Sequence, residues 1–428
     1  MSKALNIFGR GERMSRLAVA DRAGAGAKLY AHWNQRSVWF ALIGLLLFDA
    51  LFPFAGFYTL LLVVTLTSGV HSPRREIVGL LCVASVIVIG PLLALKLPLD
   101  NGGNDKIQYL DFMRTMGASG ITHYMVSQPE VLSFSTLYLA WALFGPTDFA
   151  FLFIFGLSFW LLLIAVWRIE YRAIPLFLLL FTSSAAFYNS YGNVIRQAMA
   201  FPFMFLLFSC SKSRGRVAFV LLAGLAHLPS LLIGAPYVAY RLFRKWAVWT
   251  SIFVAGAILV VSSYNMQALN SMSGGDGYMS KKIGLYSAWD SYSVATVAAV
   301  ATAIFIINNV VWKKINLKIS AAKDRGAGFI EALWVASNFA FLGMVATYNL
   351  SKVFERVYIY FFSISLVYLS VAISRSRRGP TKTLVLIGAM AYSTYGLMKN
   401  LQLGDLLFAG DPIGYLTASF LDLYRNFI

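Results

Sequence analysis

The sequence predicts an all-α fold, a polytopic integral membrane helical bundle, and three observations carry that prediction. Hydrophobic residues fill 59% of the 428 positions and charged residues only 13%, far from the soluble norm. Mean hydropathy is +0.68. Several windows, among them residues 77–95, 149–167, 294–312 and 358–373, reach or approach the roughly 20 apolar residues that carry a helix across a bilayer. Helices follow because a membrane segment has to satisfy its own backbone hydrogen bonds. The length criterion gives roughly 11 to 13 membrane segments, some short or re-entrant.

The elements can be taken in order. Residues 1–37 are basic (Lys3, Arg10, Arg13, Arg16, Arg22, Lys28, Arg36) and read as a poorly ordered cytoplasmic tail without an evident cleavage site. Residues 38–428 then form a single transmembrane domain. The first apolar block, residues 38–70, contains Pro53 and fits either one kinked span or two short ones. The net charge of +18 does not indicate nucleic acid, because the lysines and arginines sit in short loops and no nucleic-acid motif accompanies them. Cys82 and Cys210 lie in or at the end of apolar runs and read as packing residues.

Positive charge favours the cytoplasmic side. The clusters Arg74-Arg75, 212–216, 241–245, 313–325 and 375–382 therefore face inward. Outward loops follow near residues 97–130, 188–197, 264–292 and 349–356. Between Arg216 and Arg241 lie only 24 residues, too few for two crossings at about 1.5 Å per residue. That segment is predicted to be a shallow or re-entrant hairpin with His227-Leu228-Pro229 at its tip. Loop parity leaves one long span in residues 131–167, with 131–144 lying in the outer interface or dipping into the membrane.

Ionisable residues at membrane depth are costly and usually act on something. Here they fall on the predicted outer side: Asp105, Tyr109 and Asp111, then Glu130, Arg196, His227, the run 278–292 with Lys281, Lys282 and Tyr286, and Arg356 with Tyr360. Asp105 with Tyr109, and Arg356 with Tyr360, are spaced i to i+4 and share a helix face. Arginine stays charged and presents a planar fork of donors suited to phosphate. A carboxylate can orient or deprotonate a hydroxyl, and aromatic rings offer flat faces to sugars. No D-x-D pair, P-loop, G-x-G-x-x-G or G-x-S-x-G is present, and no metal or cofactor is expected. Each residue also has a plain structural reading, such as a snorkelling Arg196 or an Asp105 that caps a helix. Their shared side is what argues for a site.

Together these residues resemble the EpsG/Wzy-type polysaccharide polymerases. The resemblance runs through G-x-D-x-x-x-Y (Gly103, Asp105, Tyr109), an acidic residue opening an apolar run (Glu130), N-x-x-R-Q-x-x-A (Asn193, Arg196, Gln197, Ala200), A-H-x-x-S (Ala226, His227, Ser230), Lys282 with Tyr286, and a helix start at Arg356, Tyr360 and Phe361. Members often carry an arginine shortly before G-x-D; here Lys96 is the nearest basic residue. The resemblance implies a GT-C-like glycosyltransferase in the bacterial inner membrane, multi-pass, with its active site facing the periplasm. It implies polymerisation of oligosaccharide units carried on undecaprenyl diphosphate, among membrane lipids and alongside a chain-length-regulating membrane protein. In that reading Asp105, Glu130, Arg196, His227 and Arg356 are catalytic. Tyr109, Asn193, Gln197, Lys281, Lys282, Tyr286 and Tyr360 bind substrate. Two other readings are a lipid-linked oligosaccharide flippase or exporter, and an O-antigen ligase. An exporter is expected to show internal repeats and a polar path reaching both faces; the sequence shows no repeat.

Overall fold

The computed structural model describes residues 51–96, 105–264, 294–319, 327–377, 379–403 and 412–425. The tail 1–37, Gly103, Lys281, Lys282 and Tyr286 lie outside the described residues. All regular structure among the described residues is helical.

The first described helix is α1, Pro53–Thr67, so Pro53 starts a helix, where its missing N–H costs nothing, rather than kinking one. Next come α2, Arg75–Ala94, the short helices α3, Lys106–Ser119, and α4, Thr122–Ser127, then α5, Val131–Phe144. The long α6, Asp148–Glu170, passes through a 3-10 turn, Tyr171–Ala173, into α7, Ile174–Thr182. The short α8, Ala185–Gly192, gives way to α9, Ile195–Ser209. The predicted hairpin is present as α10, Ser213–Ala226, a 3-10 turn Leu228–Ser230, and α11, Leu231–Phe243. The remaining helices are α12, Lys245–Tyr264, α13, Val294–Ile319, α14, Ala327–Ala346, α15, Ser351–Arg375, α16, Pro380–Leu403, α17, Pro412–Thr417, and α18, Phe420–Tyr424.

Among the described residues, five stretches are long and apolar enough to cross a membrane: Arg75–Ala94, Asp148–Thr182, Ala295–Lys314, Gly328–Ala346 and Lys352–Arg375. Shorter apolar helices cover Pro53–Thr67, Val131–Phe144, Ile195–Ser209 and Lys245–Val260. The protein is a polytopic, multi-pass membrane bundle.

At its centre α9 packs against α6, α10 and α14, while α15 packs against α14, α13 and both 3-10 turns. The core is rich in phenylalanine; Phe159, Phe177, Phe181, Phe187 and Phe201 are buried, with Phe181 edge-on to Phe187 and to Phe201. Small residues let helices approach. In the hairpin a Cβ on Gly224 would come within 2.7 Å of Leu231. Between α7 and α16 a Cβ on Gly396 would lie 2.8 Å from the Ser183 carbonyl, and Ser393 and Asn400 donate hydrogen bonds to α7 carbonyls at 2.7 and 2.9 Å. Small and polar residues join membrane helices in this way.

Basic residues converge at one end of the bundle. Arg375 pairs with Glu170 at 2.8 Å, Lys382 donates to the Ser374 carbonyl at 3.2 Å, and the Arg75 guanidinium lies over the Tyr171 ring. Arg216, expected in a solvated loop, instead folds back and caps the carbonyls of Cys210 and Ser211. The described residues among those predicted to form the site lie at the other end.

Candidate functional site

Four interruptions in helical structure meet at that end. The chain enters α5 at Glu130, breaks at Asn193 and Val194 between α8 and α9, turns at His227 between α10 and α11, and re-enters helix at Ser351. A polar residue at a helix terminus need not stand in a lipid-facing stripe, so each break delivers one to the same layer.

Arg196, in the first turn of α9, forms an ion pair with Glu130. Both side chains are withdrawn, 12% and 6% exposed. The second Glu130 oxygen accepts the backbone N–H of Leu228 at 3.1 Å. One carboxylate thus joins α5, α9 and the tip of the hairpin. Ser133 reinforces the junction by donating to the Ala226 carbonyl at 2.6 Å. The Arg196 guanidinium also faces the Phe134 ring, 5.9 Å from its centre.

Beside this pair, His227 Nδ1 and the Tyr360 hydroxyl are 3.2 Å apart, both residues buried. Gln197 donates to the Arg356 carbonyl at 2.8 Å, which ties α9 to the start of α15. Tyr109 is buried, and burial pushes its phenol pKa up; Arg196 and Arg356 pull it down, while Asp105 pushes it further up. Those influences put all three charges within electrostatic reach of one phenol. Among the described residues the Tyr109 hydroxyl, Gln197 Oε1 and Ser230 Oγ are buried without a hydrogen bond of good geometry. Buried polar atoms are seldom left so. These atoms make the junction a candidate place for a polar ligand.

Two lysines join the predicted residues: Lys96, notable in the sequence only as the nearest basic residue before G-x-D, and Lys106, which the sequence reading does not single out. Lys96, at the end of α2, is buried and donates to Asn193 Oδ1. Lys106 is buried as well, donating to the Ala94 and Lys96 carbonyls at 2.8 and 2.7 Å and pairing with Asp148 at 2.7 Å. A signal for Lys106 existed in the spacing. Lys106, Tyr109, Met113 and Met116 are the buried face of α3, at helical intervals of three and four. Among the described residues, no three potential metal ligands converge.

Residues 79–405 match the EpsG family. The chain belongs to the EpsG family. EpsG proteins are implicated in exopolysaccharide biosynthesis, and this one is an EpsG membrane protein of polysaccharide synthesis. No curated protein and no solved structure matches the chain. The matched region of this EpsG protein includes every residue of the site just described. Of the predicted residues, Glu130 pairs with Arg196, His227 meets Tyr360, Gln197 donates to the Arg356 carbonyl, and Tyr109 feels the charge of Arg196. Asp105, half-buried at the start of α3, and Arg356 stand within reach of Tyr109, and Asn193 joins through Lys96. Glu355 pairs with Lys352 at 3.2 Å, not with Arg356.

Proposed function

We propose that this EpsG protein polymerises oligosaccharide units borne on undecaprenyl diphosphate at the periplasmic face of the bacterial inner membrane, moving the growing chain onto the next lipid-linked unit. In the reaction an acceptor hydroxyl oxygen attacks the anomeric carbon of the growing chain. The bond from that carbon to the diphosphate oxygen breaks, the hydroxyl proton passes to a carboxylate, and the lipid diphosphate departs with the bonding electrons.

The observation that carries the reading is the buried Glu130 carboxylate held between the Arg196 guanidinium and the Leu228 N–H. An anion bound by a planar cation and a fixed backbone donor in a desolvated place stands where a phosphate oxygen would be stabilised. A diphosphate arriving there competes with Glu130 for Arg196. The displaced carboxylate, now without its cation, becomes a better base. Binding the leaving group and arming the base are then one event. Asp105, beside Tyr109, is the other candidate base. Arg356 adds positive charge, His227 and Tyr360 form a proton-bearing pair next to it, and Tyr109, Asn193 and Gln197 line the sugar side.

The test is in vitro polymerisation of a lipid-linked repeat unit. Arg196→Ala and Arg196→Lys are both expected to abolish product ladders, since lysine keeps the charge but lacks the fork. Full ladders from both variants would remove the phosphate role. Deletion strains separate the flippase alternative: single units still reach the outer face if the protein polymerises, and stay inside if it flips them.

A further inference from the structure

The opposite, basic end of the bundle holds a polar cavity of about 480 Å³, within the range of small-ligand sites. Its wall is assembled from four separate parts of the chain: the turn after α1 (Ser72), the end of α6 and the following 3-10 turn (Glu170, Arg172), the end of α15 (Arg375, Ser376) and the first turn of α16 (Lys382). Three cations face one carboxylate. Arg375 is balanced by Glu170 and Lys382 supports the Ser374 carbonyl. Arg172 is exposed, and its guanidinium lies over the Tyr171 ring, as that of Arg75 also does. The cavity therefore carries a net positive charge, with guanidinium forks spread along its rim.

This place is separate from the Arg196 site. Arg356 and Arg375 are 19 residues apart on the continuous helix α15, roughly 28 Å along its axis. A sugar diphosphate engaged by Arg196 cannot reach it. Basic pockets between membrane helices at this face suit phosphate-bearing head groups, and arginine forks match phosphate oxygens in pairs.

We infer that this cavity is a second anion site, taking a phosphate group either from a phospholipid head group of the adjoining leaflet or from a phosphate or diphosphate in solution. The occupant bridges α6, α15, α16 and the turn after α1. Bound ligand thus favours the folded bundle and raises its unfolding temperature.

The experiment uses the full chain in detergent. Thermal unfolding is followed against inorganic phosphate, pyrophosphate, phosphatidylglycerol and phosphatidylcholine, with chloride added to equal ionic strength. A saturable rise with phosphatidylglycerol but not phosphatidylcholine identifies a lipid phosphate bearing net charge. A saturable rise with phosphate or pyrophosphate identifies the soluble anion. Arg172→Gln combined with Lys382→Gln is expected to weaken the effective anion at least tenfold. Glu170→Gln removes the competing carboxylate from Arg375 and is expected to tighten it, so misfolding alone cannot mimic the pattern. No saturable rise with any anion in the unaltered protein, or equal affinity in all three proteins, would overturn the inference. Loss of polymerisation in Arg196 variants bears on the other site and leaves this result intact.

Discussion

Removing Arg196 leaves the Glu130 charge buried without its cation, which costs about 3–5 kcal/mol where such pairs have been broken. Arg196→Ala is therefore expected to lower thermal stability as well as activity. Combining it with Glu130→Gln removes both charges and should restore most of the stability while polymerisation stays absent; recovery of both together would mean that the pair is structural. A subtler probe is Tyr360→Phe, which deletes one hydroxyl beside His227 at little cost in shape. It is expected to slow turnover at least tenfold with unchanged folding, measured by single-turnover assay and melting curve. At this scale the sequence was informative where chemistry is conspicuous. A charged arginine in N-x-x-R-Q and a histidine in a short hairpin drew attention because apolar surroundings make them costly. Lys106 was missed, and Lys96 was notable only for standing near the family's usual arginine, because a lysine beside a predicted outer loop looks solvated and only tertiary contact buries it. The partnership of Glu130 with Arg196 was equally out of reach, since 66 residues separate them and no local rule joins such positions.

Helices in this bundle approach one another through small residues, so single methyl groups matter. Gly396→Leu would drive a side chain into the Ser183 carbonyl of α7 and break the contacts made by Ser393 and Asn400. Overpacking of this kind costs about 1–3 kcal/mol, visible as a lowered melting temperature. Arg244, between α11 and α12, has a φ of 46°, a backbone setting that favours glycine. Arg244→Gly is expected to keep or raise stability, the reverse of most glycine substitutions. Element identity was mostly legible from hydropathy and length. The hairpin followed from simple counting, because 24 residues cannot cross twice. The helical content of residues 97–130 was legible only in part: the i to i+4 spacing of Asp105 and Tyr109 pointed to α3, nothing pointed to α4, and both are held by aromatic packing of Phe112, Tyr124 and Phe134.

On the scale of the molecule, charge sorts the bundle into a basic end and an end where acid, base and aromatic groups meet. With Cys82 and Cys210 replaced by serine, a cysteine introduced at exposed Thr115 should react in whole cells with a membrane-impermeant thiol reagent, while one at exposed Arg214 should react only after permeabilisation. The opposite pattern would reverse the orientation and place the Arg196 site in the cytoplasm. The two-ended arrangement could be read from the positive clusters alone, but the packing around the Glu130–Arg196 pair could not, because it depends on how four chain breaks dock.

The brevity of the hairpin has a mechanical consequence. Its helices have 14 and 13 residues, so the longer spans only about 21 Å, against a hydrocarbon layer of roughly 30 Å. Bilayers answer such hydrophobic mismatch by thinning. On the proposed polymerase reading, thinned lipid beside the hairpin would lower the cost of drawing a polyprenyl chain sideways towards the protein. If the proposed polymerisation holds, its rate should depend on bilayer thickness, faster in short-chain proteoliposomes than in long-chain ones, and the membrane's elasticity then enters the reaction.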